Sequence, residues 1–187
     1  MKYLKRISIL IVALLFSAKI NVFAYNKQNI NLNQNTLREE LNLTLINMPN
    51  KKVIEVFNYN NNFIYLTEED LNLMAKIVYA ESKGEPYEGK VAVASVILNR
   101  VLSPGFPDSI KDVIFQPNAF SCVVNGEING TPNEECFNAV YDAIKGNDPT
   151  NEALFFYNPS IATCSWMKEI EKTDSKSIGQ HLFFNTK

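Results

Sequence analysis

The sequence predicts an α+β domain, mainly α, with a small β element. Three observations carry that prediction. Leu71, Met74, Val78 and Glu81 follow one another at spacings of three, four and three, the stripe of an amphipathic helix. Between Pro86 and Ser103-Pro104-Gly105 the chain is almost continuously apolar from Val91 to Leu98, which reads as a helix buried on most sides. β-rich character is confined to short runs: two around an Asn cluster within Lys52–Tyr65, and the aromatic runs Leu154–Tyr157 and Leu182–Phe184.

Local signals justify each element in turn. The two runs of Lys52–Tyr65 read as a hairpin. Thr67-Glu68-Glu69-Asp70 matches a capping box, with acids in the first turn where they favour the helix dipole. That helix is expected to reach about Ser82, with Gly84 suited to its C-terminal cap and Pro86 barring continuation. A second helix is expected over Tyr87–Leu102, with Val91, Ala94, Leu98 and Val101 on one face. Asp108–Phe115 reads as a short third helix, and residues 116–132 as a long loop. Asn133–Lys145 reads as a further helix, with Phe137, Val140, Tyr141 and Ile144 inward and Gly146 beyond its end.

The segment ahead of this domain reads differently. Lys2, Lys5 and Arg6 precede the apolar run Ile7–Ala18, and Val22-Phe23-Ala24 resembles a small-residue cleavage site. Residues 1–24 are therefore expected to be a secretory signal peptide, cut after Ala24, and the chain to be exported. The twelve residues of Ile7–Ala18 are short for a membrane span and Lys19 interrupts them; an uncleaved anchor is the alternative. Residues 25–66 are Asn-rich and read as a linker or N-terminal extension, with a short helix hinted at by Leu37, Leu41, Leu43 and Ile46. The domain proper is expected over 67–187.

Charge and composition narrow the chemistry. The signal holds four of the chain's 18 bases and no acids, so the remainder carries 14 bases against 20 acids, net −6. That balance argues against nucleic acid as a partner, because phosphate contacts need clustered Lys and Arg. It leaves a polysaccharide open. Three cysteines are present, an odd number. Cys122 and Cys136 bracket a Gly/Asn-rich loop and are the favoured disulfide; three reduced, buried thiols are the alternative. The single histidine, His181, argues against a zinc centre, and no oxygen-rich loop suggests calcium. No metal or cofactor is expected.

Glu81 stands out chemically. It lies in line with three large apolar side chains, where burial would disfavour its charged form. A carboxylic acid kept protonated near neutral pH is what general-acid cleavage of a glycosidic bond requires. A solvated Glu at a fraying helix end is the other reading, and spacing alone leaves both open.

The stretch Val78–Val101 resembles the catalytic domain of the SleB/CwlJ-type cell-wall hydrolases, spore-cortex-lytic enzymes with a lysozyme-like core. The hallmark Glu-Ala-Arg-Gly-Glu of that family reads here Glu81-Ser82-Lys83-Gly84-Glu85, followed by Pro86 and then Leu98-Asn99-Arg100-Val101. Three more blocks match: Phe120-Ser121-Cys122-Val123, Phe156-Tyr157-Asn158-Pro159, and Ile178-Gly179-Gln180-His181 with Phe183. The resemblance covers about residues 67–187. Lys83 replaces an Arg of the family pattern, keeping the charge but not the planar fork, and Gln180 replaces an Asn. Larger members carry a separate peptidoglycan-binding domain, for which this chain is expected to have no room.

The resemblance implies that Glu81 is the catalytic acid and that the substrate is the peptidoglycan glycan strand. In the related lytic transglycosylases one Glu makes both proton transfers and no second carboxylate is needed, unlike the two-carboxylate glycosidases. Around it, Glu85, Ser121, Tyr157, Asn158, Trp166 and His181 are the substrate-site candidates. Each has a plainer reading. Glu85 is a second acid/base or a hydrogen bond holding the Gly84 turn. Tyr157 and Asn158 position sugar or merely turn the chain before Pro159. Trp166 stacks a sugar or fills core. His181 supports the site or is a packed core residue. Ser121 lines the cleft, since a serine nucleophile would need a His and an acid that have no evident place. Arg100, at a helix end, pairs structurally with a carboxylate. The function expected is that of an exported lytic transglycosylase of spore cortex, monomeric, with an accessory spore protein left open as a partner. A water-using muramidase and a non-catalytic wall-binding or spore-coat protein are the rivals.

Overall fold

The computed structural model describes residues 53–57 and 63–187. The expected signal peptide, and the expected linker as far as residue 52, lie outside the described residues. The first element is the hairpin expected from the Asn-flanked runs: β1 (Val53–Phe57) pairs antiparallel with β2 (Phe63–Thr67), Val53 opposite Thr67 and Phe57 opposite Phe63. β2 runs straight into α1 (Glu68–Glu81), and Thr67 is at once the last strand residue and the helix N-cap. The capping box is complete: Asp70 N–H donates to Thr67 Oγ1 at 3.2 Å, and Thr67 N–H to Asp70 Oδ2 at 2.9 Å.

α2 (Tyr87–Leu102) is the central helix, with every residue from Val91 to Leu98 buried, as the apolar run implied. It packs against α1, against α3 (Ile110–Phe115, capped by Ser109), and against α4 (Glu134–Ile144, capped by Asn133). Two polar ties add to the α2–α4 contact: Tyr87 Oη donates to Asp142 Oδ2 at 2.7 Å, and Lys90 Nζ lies 3.5 Å from Glu135. The face of α4 turned inward is Cys136, Ala139, Val140, Ala143 and Ile144. Tyr141, expected inward, is 40% exposed. Ala139 and Ala143 are part of the buried face, and Tyr141 falls outside it.

Residues 116–132 are not a plain loop. They carry a minimal hairpin, β3 (Val123–Val124) with β4 (Glu127–Ile128), closed by Asn125 and Gly126, both at positive φ. The aromatic runs, which read from sequence as strands or as extended cleft walls, are strands. β5 (Phe155–Tyr157) and β6 (Lys172–Ile178) flank β7 (His181–Thr186) in an antiparallel sheet ordered β5-β7-β6. A short helix, α5 (Ser165–Glu169), sits between β5 and β6. Met74, Ile77, Val96, Ile97, Val113, Ile114 and Phe183 are fully buried in one core that joins the helices to a face of the sheet, while Phe184 is buried on the opposite face against Phe155 and Tyr157. The architecture is α+β and mainly helical. Among the described residues, no helix is long and apolar enough to cross a membrane.

The favoured disulfide is not formed. Cys122, Cys136 and Cys164 are all free: Cys122 half-buried, Cys136 buried and Cys164 exposed. Cys136 lies in the first turn of α4, where its Sγ meets the capping Asn133 Oδ1 at 3.0 Å, and it belongs to the core.

Candidate active site

Glu81 is the last residue of α1. The helix stops there because Gly84 turns the chain at φ +89° and Pro86 follows; Ser82 makes the last helical bond, its N–H donating to Val78 O at 3.0 Å with its hydroxyl on the same carbonyl. Leu71, Met74 and Val78 of the stripe are buried, but Glu81 emerges half-exposed at its end. A backbone and a hydroxyl donor converge on one oxygen. Cys122 N–H donates to Oε1 at 3.1 Å and Ser121 Oγ to the same atom at 3.4 Å. The Cys122 thiol also hydrogen-bonds this carboxylate.

Behind this carboxylate is a buried cation. Arg100, 4% exposed, donates from Nε to Leu154 O at 2.8 Å. Its guanidinium lies over the rings of Phe106, Phe120 and Phe155, at 5.3, 4.9 and 5.9 Å from their centres. Burial pushes its pKa down to about 10, against the pull of the Glu81 carboxylate. Glu81 is therefore the carboxylate that Arg100 feels, though backbone carbonyls and rings, rather than a direct ion pair, hold it. Phe120 packs at once on Arg100 and on Phe156, which fixes the loop supplying Ser121 and Cys122. Burial, then the neighbouring Glu81 carboxylate, pushes the Cys122 thiol up to about 12.

The other candidates fall into separate groups. Glu85 is 7% exposed; its Oε2 accepts the Gln180 N–H at 2.9 Å and its Oε1 lies 3.9 Å from His181 Nδ1. The turn it holds is the distant one between β6 and β7, as well as lying beside Gly84. His181 is buried between Phe156 and Phe183. Asn158 Nδ2 meets Gln180 Oε1 at 3.4 Å, and its Oδ1 caps the following turn at Ser160 N–H, 2.9 Å. Tyr157 ends β5, half-buried, with Lys172 Nζ 5.6 Å from its ring centre. Trp166, on α5, is 45% exposed and stands edge-on to Phe155, the ring that also flanks Arg100. Ser121 alone of these side chains hydrogen-bonds Glu81. Among the described residues, no three His, Cys, Asp or Glu side chains gather as a metal would need. The Cys122 N–H and the Gly179–Gln180 turn were not singled out from sequence as site elements, although both fall inside quoted blocks.

A family profile described as Cell Wall Hydrolase matches residues 84–184. The chain belongs to the cell wall hydrolase family. Glu81 lies three positions before the matched stretch. A spore cortex-lytic enzyme of Bacillus cereus is 51% identical over 117 residues, 63% of this chain and 44% of that relative. The chain thus spans under half the length of that curated relative. Two solved structures are also similar. The catalytic domain of the Bacillus cereus SleB protein shares 51% identity at a TM-score of 0.57, over 63% of this chain and 91% of that one. The catalytic domain of a germination-specific lytic transglycosylase, SleB of Bacillus anthracis, shares 49% identity at a TM-score of 0.59, over 64% and 97%. These two catalytic domains share the fold and about half of the aligned residues with this chain.

Proposed function

We propose that the chain is an exported peptidoglycan-cleaving enzyme, a lytic transglycosylase that cuts the MurNAc–GlcNAc bond of spore cortex during germination, with Glu81 as its acid and base. The observation that carries this reading is the one-sided anchoring of Glu81. Cys122 N–H and Ser121 Oγ hold Oε1, and in this reading Oε2 is the oxygen that meets the substrate. A carboxyl fixed in this way is oriented before substrate arrives, which saves the entropy of ordering it in the transition state.

The chemistry follows from that oxygen. Protonated, Oε2 donates to the bridging glycosidic oxygen and the C1–O bond breaks, leaving oxocarbenium-like charge on the MurNAc residue. The substrate's own N-acetyl oxygen stabilises that charge. The carboxylate then takes the proton of the C6 hydroxyl, whose oxygen closes on C1 to give a 1,6-anhydro end. The proton lost in the first step is regained in the second, and no water is consumed. Acid–base catalysis of this kind contributes about 10²- to 10⁴-fold. The names of the similar proteins, a spore cortex-lytic enzyme and a germination-specific lytic transglycosylase, support the choice of substrate and product.

The test is mass spectrometry of muropeptides released from purified spore cortex and, separately, from vegetative sacculi. Anhydromuropeptides from cortex are expected. Reducing ends would mean that water is the nucleophile and the chain a muramidase. No release from either wall by the folded protein would leave a wall-binding or spore-coat role.

A further inference from the structure

Glu81 and Glu85 are four positions apart and differently placed. Glu85 is 7% exposed, so its carboxylate does not reach a substrate in solvent. Its Oε2 instead accepts the Gln180 N–H at 2.9 Å, across 95 positions of chain. Gly179 makes the approach feasible: it sits at φ +58°, and a Cβ there would collide with Glu85 Oε2 and Pro86 Cδ. The turn so held presents the exposed side chain of Gln180, whose Oε1 meets Asn158 Nδ2 at 3.4 Å. Asn158 is tied in turn to Ser160 N–H. The strand before it carries Phe156, which rests on Phe120, next to Ser121.

We propose that Glu85 is a positioning residue. By holding the Gly179–Gln180 turn, it fixes the Gln180–Asn158 amide pair as an edge that recognises the acetamido groups of the glycan. This rests on the glycan-cleaving function proposed above. Two side-chain amides offer an N–H donor and a carbonyl acceptor at neighbouring points, the complement of an acetamido group, and they carry no charge to desolvate. MurNAc and GlcNAc each bear that group, so an edge of this kind can meet either sugar. On this edge Glu85 acts through the backbone of Gln180.

The test is binding of a soluble GlcNAc–MurNAc tetrasaccharide by calorimetry, in the Glu81→Gln background, with KM and kcat measured in the active chain. Gln180→Ala keeps its backbone N–H on Glu85 and removes only an exposed amide, so it should fold normally. It is expected to weaken binding about tenfold, the worth of one or two hydrogen bonds. Glu85→Ala should do the same and also free the Gln180 N–H to exchange with solvent. Glu85→Gln keeps an oxygen for that N–H and should recover most of the affinity. In the active chain, KM should rise while kcat changes much less. Unchanged binding in Gln180→Ala, with the unmutated chain still cutting cell wall, would overturn the amide edge alone. A fall in kcat at constant KM would overturn it too, by placing Glu85 in the chemistry. Absence of both wall cleavage and tetrasaccharide binding would instead remove the enzyme reading on which it stands.

Discussion

The backbone N–H of Cys122 meets Glu81 Oε1 at 3.1 Å, across 41 positions of chain. It joins the end of α1 to the loop that leads into β3. A main-chain donor cannot be lost by side-chain substitution and does not titrate, so the orientation of Glu81 is built into the fold. The hydroxyl of Ser121 adds a second, longer contact on the same oxygen.

Replacing Glu81 with Gln should therefore silence the protein without unfolding it. The Gln carbonyl can take the place of Oε1 and accept both donors, so packing is retained. No proton is available for a leaving oxygen. Release of muropeptides should fall by about 10²- to 10⁴-fold, with the thermal midpoint within a degree or two of the parent. Near-parent lysis by a folded Glu81→Gln chain would show that another group carries the proton.

Cys122 gives a pH prediction. Its thiol is pushed from 9.0 up to about 12, first by burial and then by the Glu81 carboxylate. Below about pH 9 it is protonated in both folded and unfolded chains, and its contribution to stability is whole. Between 9 and 12 the unfolded chain releases a proton that the folded chain keeps, so stability falls as pH rises. Urea melts at pH 8 and pH 10.5 should show a smaller loss for Cys122→Ser than for the parent. At pH 9, iodoacetamide should label exposed Cys164 first, and Glu81→Gln should speed labelling of Cys122. Equal alkaline losses in parent and Cys122→Ser would disconnect this thiol from stability.

What the sequence made legible follows the range of its signals. α1 and α2 announce themselves locally through the Thr67–Asp70 box, Pro86 and the run from Val91 to Leu98. β6 does not, because Lys172–Ile178 is polar and bulged near Asp174, with no alternation to read. α5 is five residues long and lacks a side-chain cap. Tyr141 was misplaced because helical period marks a face by hydrophobicity, whereas α4 is packed by its alanines. Glu81 was legible as a misfit in its stripe. Its partners were not, since a backbone N–H 41 positions away leaves no trace in residue types. Glu85 shows the same limit from the other side: a structural hydrogen bond was expected of it at the nearby Gly84 turn, and the donor it holds is the Gln180 N–H, 95 positions away.

The capping box offers a stability test remote from the site. Thr67 Oγ1 accepts the Asp70 N–H at 3.2 Å and is the only side-chain cap on α1 among the described residues. Thr67→Ala should cost about 1 kcal/mol, a fall of about 2–6 °C in the thermal midpoint. Wall lysis at 25 °C should be unchanged, because α1 remains packed through Met74, Ile77 and Val78. An unchanged midpoint would mean that packing alone sets the start of α1.

Gly130 tests whether the β3–β4 hairpin positions the donor on Glu81. It sits at φ +118°, and a Cβ there would come within 2.5 Å of Tyr79 Cε1. Tyr79 is on α1, two residues before Glu81, so the chain leaving β4 lies flat against the helix that carries the acid. Gly130→Ala should lift that chain away. Because β3 begins at Val123, directly after Cys122, the displacement should reach the N–H that holds Glu81. Activity should fall about tenfold, as expected when a catalytic group is misplaced by a fraction of an ångström. The loss has two sources, the clash with the ring and the strained φ, and a second substitution separates them. Tyr79→Leu removes the ring, so Tyr79→Leu/Gly130→Ala should recover the steric part and keep the strain. The coupling in such a cycle is expected at about 0.5–3 kcal/mol for residues in contact. If the double variant recovers nothing, backbone strain at Gly130 alone accounts for the loss, and Tyr79 is a bystander.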